Sequence, residues 1–439
     1  MKMKIKKLLG SLVAGTAMLA VAGIASAATT YEANLYGASA QFTFWNLQAV
    51  SYIQSQPGCS GATVRQPQFD SADQVNFATC GPNNNTYIIR VSSKASYDGI
   101  LAVKGDNSLA GSEACTPTTY TDGGVAGNYR LMADETSCGT SGNSCSAQKC
   151  VRVNIGASDV AGESFTQTSS GTTNGPAGGA QLTMSFNGIS TAGLKYIQPI
   201  VVPFQFWVHN DVTNSVSGTG TNKTMSNITR AMAVLLFSGE IAYWDQFGPN
   251  FPHLGVTLCL RHAGSGTAAT LDYAVVKGNG WGGQLPTSEN NPSVAATFSG
   301  AYPYIYFNNG TSAEEACVDT VSGAIGYFDA DKIVGSTSGP GGTNMDGTNG
   351  VPKGYPNTRG IAYQGEYPTA ESIGNSRYDF WTNEWAFWNS NDTEMTSGSF
   401  AYNFVNNASN AVPASEANFW MLQSNMNVEK TTDQAYLGE

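Results

Sequence analysis

Residues 259–276 read CLRHAGSGTAATLDYAVV: an extended segment ending in Arg261, a tight turn Gly264-Ser265-Gly266-Thr267, then an apolar helix. A turn that opens a helix leaves its first backbone N–H groups unpaired, and the aligned peptide dipoles add about half a unit of positive charge there. Such a terminus is a seat for an anion. Arg261 adds a full charge on a planar fork of donors, Ser265 and Thr267 add hydroxyls, and Gly264 and Gly266 let the backbone approach closely. Taken alone, the turn is equally consistent with a capped helix beside a surface arginine, so its meaning depends on what accompanies it.

The chain has 439 residues. Its first 27 carry Lys2, Lys4, Lys6 and Lys7 ahead of an apolar run ending Ala25-Ser26-Ala27, the pattern of a secretory signal cut before Ala28. No cysteine stands near the cut, so a free, lipid-less mature chain is expected, exported to the periplasm or beyond the cell. No later run reaches the roughly 20 apolar residues that a bilayer span needs, so no membrane insertion is expected after cleavage. Removing the four lysines takes the net charge from −11 to −15, which argues against nucleic acid as a partner. An anion site on such a chain has to rest on local donors that outweigh the distant field.

All eight cysteines lie after the signal. An even number in an exported chain predicts four disulfides, with local pairs expected among 105 possible pairings. Cys138, Cys145 and Cys150 lack Cys-x-x-Cys spacing and a nearby histidine, which makes zinc a poor fit. No haem motif occurs, and Asp346 in the glycine-rich stretch 335–350 is too isolated for calcium. No cofactor and no metal are expected.

Along the chain, a strand within 28–39 leads through Gly37-Ala38-Ser39-Ala40 into a helix over 41–54 whose Phe42, Trp45, Ala49, Tyr52 and Ile53 share one face. Strands are expected at 87–91 and 99–103, with Ser92, Ser93 and Ser96 in the turn between them. Residues 104–150 look like a disulfide-pinned excursion rather than core. In CVRVNIGASDVA, residues 150–161, alternating Val151, Val153 and Ile155 predict a buried strand, with Gly156 to Asp159 turning out of its end, where open α/β sheets place ligands. Residues 162–180 are expected to form a loop. The run 196–209, with two prolines, predicts a strand crossing between lobes. A helix capped by Ser226 should bury Ile228, Met232, Leu235 and Leu236. A strand at 302–307, a helix from 313 and a short strand in SGAIGYFDADKI follow. In RYDFWTNEWAFWN, residues 377–389, the spacing of Tyr378, Trp381, Trp385 and Trp388 predicts a buried helix rather than an exposed carbohydrate platform.

Five stretches in order carry a resemblance: GASAQF (37–42), NIGASDV (154–160), FSGEIAYW (237–244), RHAGSGT (261–267) and GAIGY (323–327). Together the chain resembles the phosphate-binding proteins of phosphate ABC transporters. The resemblance implies an α/β, two-lobe periplasmic-binding-protein fold of type II, with the ligand cleft between lobes joined by hinge strands. It implies a discontinuous first lobe, residues 28–198 plus 354–439 with the excursion 104–150, and a second lobe, 199–353. It places phosphate donors at Ala40, Gln41 and Phe42, a serine at Ser96 with Ser93 as the alternative, an acidic acceptor at Asp159, and arginine and turn donors at Arg261, Ser265, Gly266 and Thr267. The chain departs from the family at Gln41, where a hydroxyl is common, and at Ala263, where an aspartate often flanks the arginine. The implied partners are inorganic phosphate and an ABC transporter permease.

The chemistry of the residues agrees. Phosphate near neutral pH keeps a proton and can donate to Asp159, whereas sulfate has nothing to donate and meets an uncompensated carboxylate. An esterase using Ser265 is disfavoured, because Ala263 and Thr267 occupy the positions of the outer glycines in Gly-x-Ser-x-Gly. Two alternatives keep the scaffold: a receptor for another tetrahedral anion such as arsenate, or a surface protein that has lost transport.

Overall fold

A computed structural model describes residues 27–119, 124–139, 143–172, 175–178, 181–216, 224–280, 282–294, 298–332, 355–413, 420–430 and 433. Residues 1–26 of the expected signal segment and Asp346 lie outside them. Two mixed sheets form the framework. The first has seven strands in the order Leu194–Ile197, Trp385–Asn389, Ile155–Ser158, Thr30–Gly37, Asn85–Ser93, Asp73–Cys80, Gln68–Asp70. Its centre is parallel, with Leu35 opposite both Val91 and Ile155. These strands are covered on both faces, so they read as near-continuous apolar runs. Their carboxyl ends, Gly37, Ser93 and Ser158, emerge along one edge.

The second sheet has eight strands. Six run in the order Asn227–Ile228, Thr358–Tyr363, Ile200–His209, Ala324–Asp329, Thr257–Arg261, Tyr304–Asn308, and Trp381–Asn383 and Met421–Leu422 both pair with Ile200–His209. Its parallel trio ends at Arg261, Asn308 and Asp329. The two sheets are joined by paired crossings. Leu194–Ile197 belongs to the first sheet and the chain then continues directly into Ile200–His209 of the second. The return is Trp381–Asn383, antiparallel to Val201–Pro203, followed by Trp385–Asn389 in the first sheet. The α/β, two-lobe architecture with hinge strands is thus present. Residues 358–363, however, pair with Ile200–His209 and Asn227–Ile228. The second sheet therefore extends past the expected boundary at 354, and the chain re-enters the first sheet only at Trp385.

Several local expectations change. Residues 99–103 belong to a helix, Ser96–Lys104, not a strand. Its Gly99 sits against the sheet, where a Cβ would come within 2.5 Å of the Ala157 carbonyl and 2.7 Å of that of Tyr36. The glycine serves close helix–strand packing. The partner of Asn85–Ser93 is instead Asp73–Cys80, an antiparallel neighbour with Gln74 opposite Val91. Residues 377–389 are not a helix but the two return strands, with Phe387 and Ala386 buried on opposite faces in different apolar clusters. A segment covered on both sides satisfies a helical spacing of aromatics by accident.

The stretch 150–161 is divided between two sheets. Gln148–Arg152 pairs with Tyr129–Ala133 in a separate ribbon, and Ile155–Ser158 carries the main strand, so Gly156 to Ser158 are strand rather than turn. Residues 162–180 include Thr168–Thr172, which forms a hairpin with Gln181–Ser185. The helix expected after Ser226 is Arg230–Phe237, capped by Thr229, and its Leu235 is exposed. All eight cysteines pair: Cys59 with Cys80, Cys115 with Cys150, Cys138 with Cys145 and Cys259 with Cys317. The last spans 58 residues and is the least local. Among the described residues no helix is long and apolar enough to cross a membrane.

Candidate anion site between the lobes

The site is assembled at strand ends. Arg261 closes the strand Thr257–Arg261, and Ser265 then caps the helix Gly266–Thr270 by accepting the Ala268 N–H at 3.4 Å. A polar turn followed by alanines and threonine starts a helix for the reason the sequence suggests: the cap satisfies an otherwise orphaned donor. The helix continues as one π-helical stretch, Leu271–Val276. Arg261, Ser265 and Thr267 are 1–2% exposed.

Four of the expected residues are joined by hydrogen bonds. Ser96, the first residue of its helix, accepts the Gly266 N–H at 3.2 Å and donates to Asp159 Oδ2 at 3.2 Å. Thr267 Oγ1 donates to the same Asp159 oxygen at 3.4 Å. The Asp159 N–H also points at Ser96 Oγ, 3.4 Å away. Ser96 and Asp159 follow strands of the first sheet, whereas Gly266 and Thr267 follow a strand of the second, so this cluster spans the lobes. A further contact, Tyr97 N–H to Gly264 O at 3.4 Å, lies beside it. Ser93, the alternative to Ser96, is the last strand residue and donates its N–H to Ala72 O.

Arg261 reaches the cluster electrostatically and is held from another side. Its Nη1 donates to Thr311 Oγ1 at 3.2 Å, its Nη2 to Asn309 O at 3.1 Å, and its backbone N–H to Tyr327 Oη at 3.0 Å. Thr311 and Asn309 thus hold the guanidinium. Nε of Arg261 and Oδ1 of Asp159 are buried and have no hydrogen-bond partner among the described residues. Burial, and then the nearby Asp329, push the Asp159 carboxyl up to about 7, against the opposing pull of Arg261.

Ala40, Gln41 and Phe42 form a separate wall. They follow the strand Thr30–Gly37 and open the helix Phe42–Gln54. Gln41 is fully buried, accepts Trp45 Nε1–H on its Oε1 at 2.7 Å, and its Nε2 lacks a partner among the described residues. No hydrogen bond joins Ala40, Gln41 or Phe42 to the Ser96–Asp159–Gly266 cluster among the described residues. Phe42 does line a cavity of about 680 Å³ that also contains Ser93 and Lys94 of the first lobe and Thr311, the partner of Arg261.

The sequence reading missed Glu384, Thr311, Tyr327 and Asp329. Glu384 is fully buried. Its signal was an acidic residue in the middle of an aromatic run, a position where burial demands a partner. The serine and histidine of the turn do not form a nucleophile–base pair: Ser265 Oγ faces the Ala268 N–H, and His262 Nδ1 accepts the Gly264 N–H at 3.1 Å. Burial and Arg261 push the His262 imidazole down to about 3. Among the described residues no cluster of histidine, cysteine and carboxylates suits a metal.

No family model matches the chain, and no curated protein matches it. Solved structures do. A phosphate-bound structure from Clostridium perfringens, assigned as a phosphate ABC transporter substrate-binding protein, shares 11% identity at a TM-score of 0.43, covering 85% of this chain and 91% of its own. An ABC-type phosphate transport receptor from Vibrio cholerae shares 12% at 0.41, covering 86% and 93%. A phosphate-binding protein from Stenotrophomonas maltophilia shares 14% at 0.34, covering 83% and 79%. The chain is similar to these phosphate-binding proteins, and identities this low carry no ligand across.

Proposed function

We propose that this chain is an exported phosphate-binding protein that captures inorganic phosphate between its lobes for delivery to an ABC transporter. The observation that supports this most is the cluster, across the lobes, of a buried carboxylate, Asp159, whose Oδ1 has no partner among the described residues, with Ser96 and the helix N-terminus at Gly266, the buried Arg261 acting on the carboxylate through its charge. The donors suit a tetrahedral oxyanion, and the acceptor suits an oxyanion that still carries a proton. Ligand bridging the lobes favours the closed state by its difference in affinity for the two, which a permease can recognise. Calorimetric titration of the mature protein with phosphate, with sulfate as competitor, tests this: phosphate should bind and sulfate should not displace it.

One observation favours a second reading, a surface scaffold that has lost its ligand. The Gly266 N–H and Thr267 hydroxyl are already bonded to Ser96 and Asp159. The same titration separates the two, since a scaffold gives no heat with phosphate, and arsenate in a parallel titration ranks the anions.

A further inference from the structure

Glu384 enters the site through strand register. The return strand pairs antiparallel with Ile155–Ser158, Trp385 opposite Ser158 and Ala386 opposite Ala157. One step beyond, Glu384 stands opposite Asp159. The backbone holds both in place: the Glu384 N–H donates to Ile200 O at 2.9 Å, and Thr382 Oγ1 donates to Asp159 O at 2.5 Å. Glu384 is fully buried, and neither side-chain oxygen meets an N–H or hydroxyl donor among the described residues. Its neighbour across the strands is the Asp159 carboxyl, whose charge, after burial, pushes Glu384 up.

Two carboxyl groups directly opposite on neighbouring strands repel when both are ionised. They are compatible in a dry site when one carries a proton and donates it to the other. We propose that Glu384 is a further specificity-determining residue of the anion site: it shares one proton with Asp159 and thereby sets how many protons the bound anion must itself carry. This rests on the phosphate reading above.

The surrounding charges support a shared proton. Asp329, at the end of its strand, acts through its charge on both Asp159 and Glu384, and Glu314 feels the charges of Arg261 and Asp329. Against these four carboxyls stand Arg261 and, 3.8 Å from Asp329, Lys332. With every carboxyl ionised, the cleft would hold more negative than positive charge before any anion arrived. Burial, then Asp159 and Asp329, hold Glu384 well above the usual carboxylate range. With one proton in the pair, Asp159 keeps Oδ1 for a proton donated by the ligand. Once that proton is lost, a second negative charge stands beside the anion.

The test is calorimetric titration with inorganic phosphate of wild type, E384Q and E384D at about pH 7.5 and about pH 9.5, both above the range in which Asp159 alone takes up a proton. Phosphate changes its own ionisation over this range in every case, so the difference between variants is what is read. Wild type should lose affinity on going to the higher pH by at least about tenfold more than E384Q, and E384D, which keeps the acid, should follow wild type. E384M, of similar length and without a titrating group, should match E384Q and replaces it if the amide variant does not fold. Equal pH slopes in wild type and the non-acidic variants overturn the role of Glu384 while leaving the phosphate reading in place. Absence of phosphate binding by wild type at both pH values overturns that reading, and this inference with it.

Discussion

Ser96 Oγ accepts the Gly266 N–H at 3.2 Å, a contact between a residue following a strand of one sheet and the helix that follows a strand of the other. The approach is close enough that position 266 tolerates no side chain: a Cβ there would lie 2.5 Å from Ser96 Oγ and 2.7 Å from Asp159 Cβ. The glycine of the turn is explained by what faces it, not only by the turn itself.

Gly266→Ala should therefore hold the lobes apart. Overpacking of this kind costs about 1–3 kcal/mol, and here it acts on closure, so phosphate affinity should fall by at least about tenfold. Circular dichroism should show an unchanged fold, since Gly266 has no positive φ. Wild-type affinity in the alanine variant would show that the Ser96–Gly266 contact is dispensable.

Arg261→Ala should weaken phosphate binding by at least about tenfold, because a buried charge-assisted contact contributes about 1.5–3 kcal/mol. The variant should also be less stable near neutral pH, since Arg261 is a favourable charge for Asp159, Glu314 and Asp329. Thermal melts without ligand, beside the titration, read both effects.

Much of this site was legible from the sequence because its parts lie where strands end. Arg261 before Gly264-Ser265-Gly266-Thr267 and Asp159 after NIGAS are local signals, Ser96 was singled out over Ser93 only by the family resemblance, and the structure brings Ser96, Asp159, Gly266 and Thr267 together. Glu384 was not legible, because its role depends on a register between strands more than 220 residues apart. The same crossing explains the misplaced helix at 377–389. Tyr378, Trp381 and Trp388 are all buried, but the aromatics line both sides of a strand pair, and a pattern without an exposed face has no reliable period. Gly99 misled in another way, since its glycine marks contact with Ala157 and Tyr36 rather than a strand start.

The ligand-free protein should lose stability as pH rises. Asp159 moves from 3.8 to about 7 on folding, so the folded state holds a proton that the unfolded chain releases. The stability this provides is complete below 3.8 and is lost as pH rises through about 7. Asp159→Asn should flatten that part of the profile. Melting temperatures measured from about pH 5 to about pH 8 should fall less in the variant than in wild type; parallel curves would place the proton elsewhere.

Under denaturing, non-reducing conditions no thiol should be labelled, since every cysteine is paired. Cys259–Cys317 ties the strand bearing Arg261 to the helix that begins with Thr311, its partner. Replacing both cysteines by serine should cost about 2–5 kcal/mol of stability and weaken phosphate binding through Arg261. Unchanged affinity would show that Thr311 and Asn309 hold the arginine without the crosslink.

The central claim is that Asp159 makes this a phosphate receptor rather than a generic anion seat. The most direct measurement is the ratio of phosphate to sulfate affinity in wild type and in Asp159→Asn, near pH 8, above the range in which Asp159 takes up its own proton. The asparagine keeps the size, removes the charge and can turn its NH2 toward a fully ionised oxygen. The preference for phosphate should narrow by at least about tenfold, about 1.4 kcal/mol. Equal discrimination by wild type and variant would contradict the account, leaving Asp159 as part of the framework and the ligand class without its selecting group.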